Sequence, residues 1–299
     1  MTLPRWLWNV VVCPMCGGRL GPDRDVCRCA RCGPYPVVGG VPVLVPSPAD
    51  YCASFRESVL AALAEHGLAT AEAVRVVQAF ADAGRGDAQR FGDDWTAEEF
   101  RGAPPPPMVP GPASDALAGL DVAAALHGPA AWLEARLGSP KVAVELGCGA
   151  GARAERLARS ARRLVVGDLS MRAVLQARAR AFRGAADVAA VVLDANALPL
   201  APGAVDVLVA ENVADLLDEP ARFFEAAAAA LSAKGRVLLT TPEPTVGSGD
   251  DGLLERLARA AGLEVGAMDD GLPWMRVNST RHLEVYIVRA MELRRKRKR

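Results

Sequence analysis

The residues that could do chemistry fall into two groups, cysteines near the N-terminus and glycines with acids further along the chain. Five of the seven cysteines lie between Cys13 and Cys32. Four of them form two C-x2-C pairs separated by twelve residues, namely Cys13, Cys16, Cys29 and Cys32. Four thiolates with this spacing can surround one zinc ion, and a shell filled by sulfur makes that zinc structural. The segment is too short to bury a core of its own, so metal would supply much of its folding energy.

The other cysteines leave alternatives open. Cys27 could replace Cys29 as a ligand, although the C-x2-C spacing favours Cys29. A redox pair or a disulfide is the competing interpretation of the whole group. We expect Cys52 and Cys148 to be small packing residues.

The second group begins at residues 142–151, where an apolar run reaches Glu145 and then Gly147, Gly149 and Gly151. This pattern is typical of a buried parallel strand that turns tightly into a helix. Glycines have no side chains, so a ligand can lie against the backbone, and the first amides of the helix face it. The pattern predicts a nucleotide-type cofactor site.

Acids or polar residues also end the following predicted strands. Asp168 lies 17 residues after the last glycine, where an acid can accept hydrogen bonds from both ribose hydroxyls. Asp194 and Ala195 follow the third strand, and Glu211 follows the fourth. The alternation of strands and helices predicts an α/β fold with a doubly wound, mostly parallel sheet, which two late segments (264–268 and 283–288) bring to seven strands.

Residues 142–288 resemble the class I S-adenosylmethionine-dependent methyltransferases. The matching motifs are residues 144–151, 167–170, 194–199 and 211–220 and the turn at 231–236. The resemblance implies that Glu145 and the three glycines hold the methionine end of S-adenosylmethionine. It likewise assigns the ribose to Asp168 and the adenine to Asp194 with Ala195, and it places Glu211 near the methionine end or the acceptor.

A nicotinamide dinucleotide is the rival cofactor, because Gly147, Gly149 and Ala152 also fit its fingerprint. Glu145 ahead of the glycines and the two late strands argue against it. Many amino-group methyltransferases carry Asn-Pro-Pro-aromatic after strand four. Here residues 211–214 read Glu-Asn-Val-Ala, which disfavours a DNA amine or a glutamine side chain as acceptor.

The segment Cys13–Pro46 is similar to the zinc ribbon of a small activator subunit that supports tRNA, rRNA and release-factor methyltransferases. It also resembles the N-terminal ribbon of large-subunit rRNA guanine-N1 methyltransferases. Together the resemblances imply a methyltransferase that acts on an RNA base or a small molecule, with a protein partner possible at the ribbon. The alternative is a non-catalytic, partner-recruiting ribbon protein with a cofactor-binding fold.

We divide the chain into a ribbon (1–48), a helical cap or linker (49–128), a cofactor-binding domain (129–290) and a basic tail (291–299). Prolines at 104–107 interrupt the helical segment, which either forms a lid or covers the sheet.

The charge and hydropathy of the chain indicate whether it binds nucleic acids or membranes. Formal net charge is zero, but without the six basic residues 294–299 the chain has 29 basic and 35 acidic residues. An acidic body does not attract polyanions, so nucleic-acid binding would depend on the tail or a local patch. No apolar run of membrane-spanning length and no signal peptide is evident, and we expect a cytoplasmic protein.

No catalytic side chain can be assigned from the sequence. Methyl transfer mainly requires alignment of acceptor and methyl group, with a base only where the acceptor carries a proton. The three histidines, His66, His127 and His282, are expected to be surface or structural residues.

Overall fold

The computed structural model describes residues 3–86, 122–242, 252–279 and 282–296. Its strands, in chain order, are β1 (Leu20–Asp23), β2 (Val26–Cys29), β3 (Gly33–Val38), β4 (Val41–Leu44), β5 (Val142–Leu146), β6 (Arg163–Asp168), β7 (Asp187–Leu193), β8 (Val205–Glu211), β9 (Leu231–Thr241), β10 (Leu263–Ser279) and β11 (His282–Arg295). Its α-helices are α1 (Pro48–Glu65), α2 (Ala71–Ala81), α3 (Val122–Leu137), α4 (Ala154–Ser160), α5 (Met171–Ala181), α6 (Pro220–Ala230) and α7 (Leu253–Ala260).

The strands form one mixed sheet in the order β1-β2-β3-β4-β7-β6-β5-β8-β9-β11-β10. Strands β5 to β9 are parallel, as short strand-helix-strand connections predict. The hairpin β10–β11 ends the sheet, and β11 runs antiparallel to β9, as the late strands predicted. Strands β5 to β11 account for the predicted seven, and the described residues add four strands from the cysteine-bearing segment, so that eleven strands share one sheet.

The additional strands belong to the cysteine-bearing segment. Strands β1 to β4 form an antiparallel meander, and β4 then pairs in parallel with β7 through Val43↔Val192 and Leu44↔Leu193. The bend between β3 and β4 lies at Gly39 and Gly40, which have left-handed φ angles of 59° and 73°. Pairing between segments 149 residues apart leaves no periodic pattern in a sequence, so it could not be predicted.

Two apolar layers cover the faces of the sheet. On one face α1, α2, α3, α4 and α5 pack over the strands. On the other face α6 and α7 pack together with the N-terminal residues Trp6, Leu7 and Val11. Because Leu44, Leu146 and Leu208 share this second layer, the ribbon and the parallel strands have a common core.

Several predicted features lie outside the described residues. They are residues 87–102 of the helical segment, the prolines at 104–107, the start of the following helical stretch and Arg297–Arg299. Within the described ranges, no helix combines the length and the apolar character needed to cross a membrane.

Candidate functional site

The predicted site residues come together at the carboxyl edge of the parallel strands. Glu145 lies one residue before the end of β5, Asp168 ends β6, Asp194 follows β7 and Glu211 ends β8. These four strands are neighbours in the sheet, so their ends are adjacent. This is the edge at which open α/β sheets bind their ligands.

The glycine turn between β5 and α4 has left-handed backbone at Gly147, Gly149 and Gly151, with φ angles of 61°, 46° and 74°. A Cβ on Gly147 would lie 2.4 Å from Val213 Cγ2, and one on Gly151 would lie 2.5 Å from the Ala177 Cα. Glycine is therefore required at these two positions by backbone conformation and protein packing, besides any need to admit a ligand.

Asp168 is held in place by the backbone around it. Its Oδ2 accepts a hydrogen bond from the Gly149 amide at 3.0 Å, and its Oδ1 accepts one from the Ser170 amide at 2.9 Å. The Leu169 amide also contributes a hydrogen bond to this carboxylate. A carboxylate has about four acceptor positions, so at least one remains for a ligand. Burial raises the pKa of Asp168 above its usual value, and these amides oppose that shift by stabilising the charged form.

Glu145 is a buried acid, 4% exposed, whose Oε2 has no hydrogen-bond partner among the described residues. Burial raises its pKa to about 8; nearby Arg153 opposes the rise, whereas Glu211 and Asp168 add to it. A buried polar atom without a partner is costly, and at a ligand-binding edge it indicates a donor supplied by the ligand. An ammonium group meets that need.

Asp194 begins a short 3-10 turn, Ala195–Ala197. Its Oδ1 accepts hydrogen bonds from the Asn196 amide at 2.8 Å and the Asn196 side-chain nitrogen at 3.1 Å. Both bonds use the same oxygen, which leaves Oδ2 for another donor. The loop continues to Pro199, whose carbonyl accepts the Val12 amide at 2.9 Å.

Glu211 has a partner that sequence analysis missed. Arg153, which precedes α4, donates from Nε to Glu211 Oε2 at 2.5 Å and from Nη2 to Oε1 at 2.6 Å. The next residue, Asn212, has a left-handed φ of 54° and is held by Thr240 through its amide and its side chain. Left-handed backbone at a non-glycine residue is uncommon and concentrates at functional sites. An ion pair across 58 residues has no signature in a sequence.

The four paired cysteines also come together. The Sγ atoms of Cys13, Cys16, Cys29 and Cys32 all lie within 4.8 Å of one another. Cys27 is buried outside this group, and burial raises the pKa of its thiol to about 12. The arrangement fits a tetrahedral metal site with four sulfur ligands and agrees with the preference for Cys29 over Cys27.

The surroundings of Cys29 favour its thiolate, whereas the hydrogen bond with Cys16 raises the pKa of the Cys32 thiol to about 12. The amides of Arg31 and Cys32 donate to Cys29 and lower its pKa to about 6. Tyr35 lies behind the group, with its hydroxyl 3.1 Å from Cys13 Sγ. Hydrogen bonds of this kind orient metal ligands and stabilise their charge. The donor set therefore fits zinc.

The predicted helical segment contacts the cofactor edge through a hydrogen bond. The Tyr51 hydroxyl of α1 donates to the Leu169 carbonyl at 2.8 Å, directly after Asp168. Farther along, Glu65 pairs with Arg172 of α5 at 2.9 Å. Helix α1 thus packs on the sheet and stabilises the turn after β6.

The histidines provide no base at this edge within the described side chains. His66 follows α1, where burial lowers its pKa, and His282 at the start of β11 is exposed beside Glu284. The side chain of His127 lies outside the described residues.

With the geometry established, comparison with known proteins identifies the type of domain. Residues 144–239, about a third of the chain, match the model of a methyltransferase domain. The match supports a methyltransferase, and the Rossmann-like fold is consistent with class I. No protein of curated function matches the chain.

Solved structures resemble the chain at low identity. A TehB-like S-adenosylmethionine-dependent methyltransferase from Corynebacterium glutamicum is 21% identical over 60% of this chain and 92% of its own, with a TM-score of 0.45. A methyltransferase in complex with the Haloferax volcanii Trm112 activator is 19% identical over 62% and 97%, with a TM-score of 0.46. The [4+2]-cyclase SpnF is 23% identical over 46% of this chain and 60% of its own, with a TM-score of 0.39. At these scores the likenesses carry no argument about substrate or partner.

Proposed function

We propose that this protein transfers the methyl group of S-adenosylmethionine to a small-molecule acceptor. One observation carries the proposal: adjacent strand ends present a left-handed glycine turn, the buried Glu145 and the amide-held Asp168, within a segment that matches a methyltransferase domain. S-adenosylmethionine has an ammonium group, a ribose diol and an adenine. Glu145, Asp168 and the Asp194–Ala195 loop offer a matching group for each.

The protein's part in the reaction is mainly alignment. The bound cofactor supplies an activated methyl group on a sulfonium, so the barrier depends on where the acceptor atom is held. Glu145 would orient the amino end of the cofactor and Asp168 its ribose. The bidentate pair of Glu211 with Arg153 joins β8 to the start of α4, which makes the wall of the cleft rigid.

The position of the basic tail argues against RNA as acceptor. Arg294 pairs with Arg236 in the middle of β9, whereas the cofactor edge lies at the carboxyl end of that strand, near Thr241. Five residues of strand separate these two positions by roughly 17 Å. Arg294 and Arg295, the first two of the six basic residues, therefore still belong to β11 and lie toward the end of the sheet opposite the cofactor site.

Two arginines of the ribbon are engaged by neighbouring groups. Arg28 pairs with Asp23 at 2.7 Å, and Arg31 donates to the Cys16 carbonyl at 3.2 Å. The chain without its last six residues is net acidic. A nucleic-acid backbone needs several cations along its path, and the described ribbon offers three more exposed arginines, Arg5, Arg19 and Arg24, against the acids Asp23 and Asp25 of the same segment. We give the net acidity of the chain more weight than this modest basic surface. We assign the ribbon a structural role, with a zinc ion at Cys13, Cys16, Cys29 and Cys32.

A labelled-methyl assay tests this function. Purified protein is incubated with methyl-labelled S-adenosylmethionine and either a small-metabolite extract or total RNA. We expect label in the metabolite fraction at a rate that changes little between 50 and 300 mM salt. Label in RNA, with a rate that falls steeply with salt, would replace the small-molecule assignment. The absence of both transfer and cofactor binding would contradict a methyltransferase.

A further inference from the structure

The ion pair between Arg153 and Glu211 lies at the cofactor edge and is largely shielded from water. The two side chains are 15% and 19% exposed. Arg153 stands between the glycine turn and α4, and Glu211 ends β8. The pair therefore lies beside Glu145, and both of its charges act on the Glu145 carboxyl.

Acidic side chains outnumber basic ones at the cofactor edge, which affects how the carboxylate of the cofactor can be bound. Glu145, Asp168 and Glu211 are three acids, and Glu134 is a fourth that acts on Arg153. Among the described groups that act on Glu145, the one cation is Arg153. The methionine end of the cofactor carries an ammonium group and a carboxylate. The acids suit the ammonium and the sulfonium, but they would repel the carboxylate unless a cation accompanies it.

The guanidinium has donors to spare. Arginine has five N–H groups, and Glu211 uses one on Nε and one on Nη2. The remaining group, Nη1, lies 3.9 Å from Glu134 Oε1, which is an ion-pair distance and too long for a hydrogen bond. Both N–H groups of Nη1 remain available without disrupting the pair.

We propose that Arg153 binds the carboxylate of the methionine end of S-adenosylmethionine, and that Glu211 positions Arg153 for this task. The inference rests on the proposed function and refines it. It changes the role predicted for Glu211, which acts on the cofactor through Arg153. A guanidinium held by one carboxylate keeps a fixed plane, so a second carboxylate meets preformed geometry.

The test uses two probes that differ only in the carboxylate, S-adenosylmethionine and decarboxylated S-adenosylmethionine, with binding measured by calorimetry. We expect the unmodified protein to prefer the first probe at least tenfold, which corresponds to about 1.4 kcal/mol. In Arg153→Met the preference should vanish because affinity for the first probe falls. Affinity for the decarboxylated probe should change by a much smaller factor, because only the effect of Arg153 on Glu145 is lost, so the ratio of the two affinities approaches one.

Two further variants separate binding from folding. Arg153→Met leaves Glu211 without its partner, so the double variant Arg153→Met/Glu211→Gln removes both charges and should lose the preference in the same way. Glu211→Gln alone should reduce the preference only in part, because the cation stays but is less firmly held. Circular dichroism and thermal melting identify any variant that fails to fold.

The outcomes are distinguishable. Equal affinity of the unmodified protein for both probes overturns the inference and leaves the proposed function intact. An equal loss of both affinities in the folded double variant also overturns it, because the pair would then only hold α4 against β8. Failure of the unmodified protein to bind either probe overturns the proposed function, and this inference falls with it.

Discussion

The Val12 amide donates a 2.9 Å hydrogen bond to the Pro199 carbonyl, which joins the residue before the first clustered cysteine to the loop that follows β7. The contact continues on both sides, since the Ala201 amide donates to Val10 and Val11 bridges to Leu200. Strand β4 reaches the same loop, because Leu44 pairs with Leu193, directly before Asp194. The cysteine ribbon thus supports the loop that we assign to the adenine.

Removal of zinc should therefore weaken cofactor binding. Without metal the ribbon loses much of its folding energy, and the Asp194–Pro199 loop loses its neighbours. We expect chelation to lower the affinity for S-adenosylhomocysteine at least tenfold by calorimetry, with recovery when zinc is returned. Unchanged affinity in metal-free protein would show that the loop is rigid by itself.

Metal analysis should find one zinc per chain, held by the clustered cysteines. Cys16→Ser should lower the zinc content and the melting temperature, because it removes one of four thiolates. Cys27→Ala is the matched control: this thiol is buried outside the cluster and should keep full zinc occupancy. Loss of zinc in Cys27→Ala but not in Cys16→Ser would show that Cys27 is a zinc ligand and that Cys16 is not.

Asp168→Asn should cost most of the cofactor affinity, about 10- to 100-fold, because the ribose diol loses a charged acceptor. Asp187→Asn is a suitable control, since this acid begins β7 at the opposite edge of the sheet and is exposed. Calorimetry with S-adenosylhomocysteine measures both variants. Equal affinities would remove the ribose assignment.

Cofactor affinity should rise with pH between 6 and 7.5. In the free protein the pKa of Glu145 is raised to about 8, so its carboxyl is mostly protonated in this range. Binding of an ammonium group favours the charged carboxylate and releases the proton, so affinity increases as pH approaches 8. Proton release appears in calorimetry as a dependence of binding enthalpy on the buffer.

Glu145→Gln is the control for this pH dependence. The variant should have opposite effects on cofactor affinity, which falls, and on thermal stability, which rises. The variant should bind the cofactor weakly, with little pH dependence between 6 and 7.5. The ligand-free variant should melt higher than the unmodified protein at pH 8, because a raised acid pKa destabilises the fold as pH rises from about 4.5 to about 8. Each kcal/mol gained would appear as roughly 2–4 °C. A variant with unaltered pH dependence would exclude Glu145 as the group that titrates.

Gly151→Ala should destabilise the protein more than Gly203→Ala. Both glycines have positive φ angles, 74° and 71°, so both substitutions incur about 1–2 kcal/mol of backbone strain. Only at Gly151 would the new Cβ meet backbone, 2.5 Å from the Ala177 Cα, whereas Gly203 has open space. The packing conflict adds about 1–3 kcal/mol, measurable by urea denaturation. Equal losses at the two sites would show that α5 moves aside.

Much of the chain could be predicted from local patterns. Strand β6 ends at Asp168, as the sequence predicted, and Ser170 caps α5 by accepting the Ala173 amide, which is a local interaction. The acids at the strand ends meet at one edge because parallel strands all end on the same side. The two C-x2-C pairs likewise predicted the cysteine cluster, because each pair is a local turn whose spacing can be read from the sequence.

The amino-acid sequence alone determined the order of strands and helices, the glycine turn and the four clustered thiols, because short-range spacing carries that information. The tertiary structure decided that β4 extends the parallel sheet beside β7, that Val12 meets Pro199, and that Arg153 holds Glu211. These contacts join residues from 58 to 187 positions apart. They arise when distant apolar faces pack into common layers, and no local pattern records which distant residues will meet.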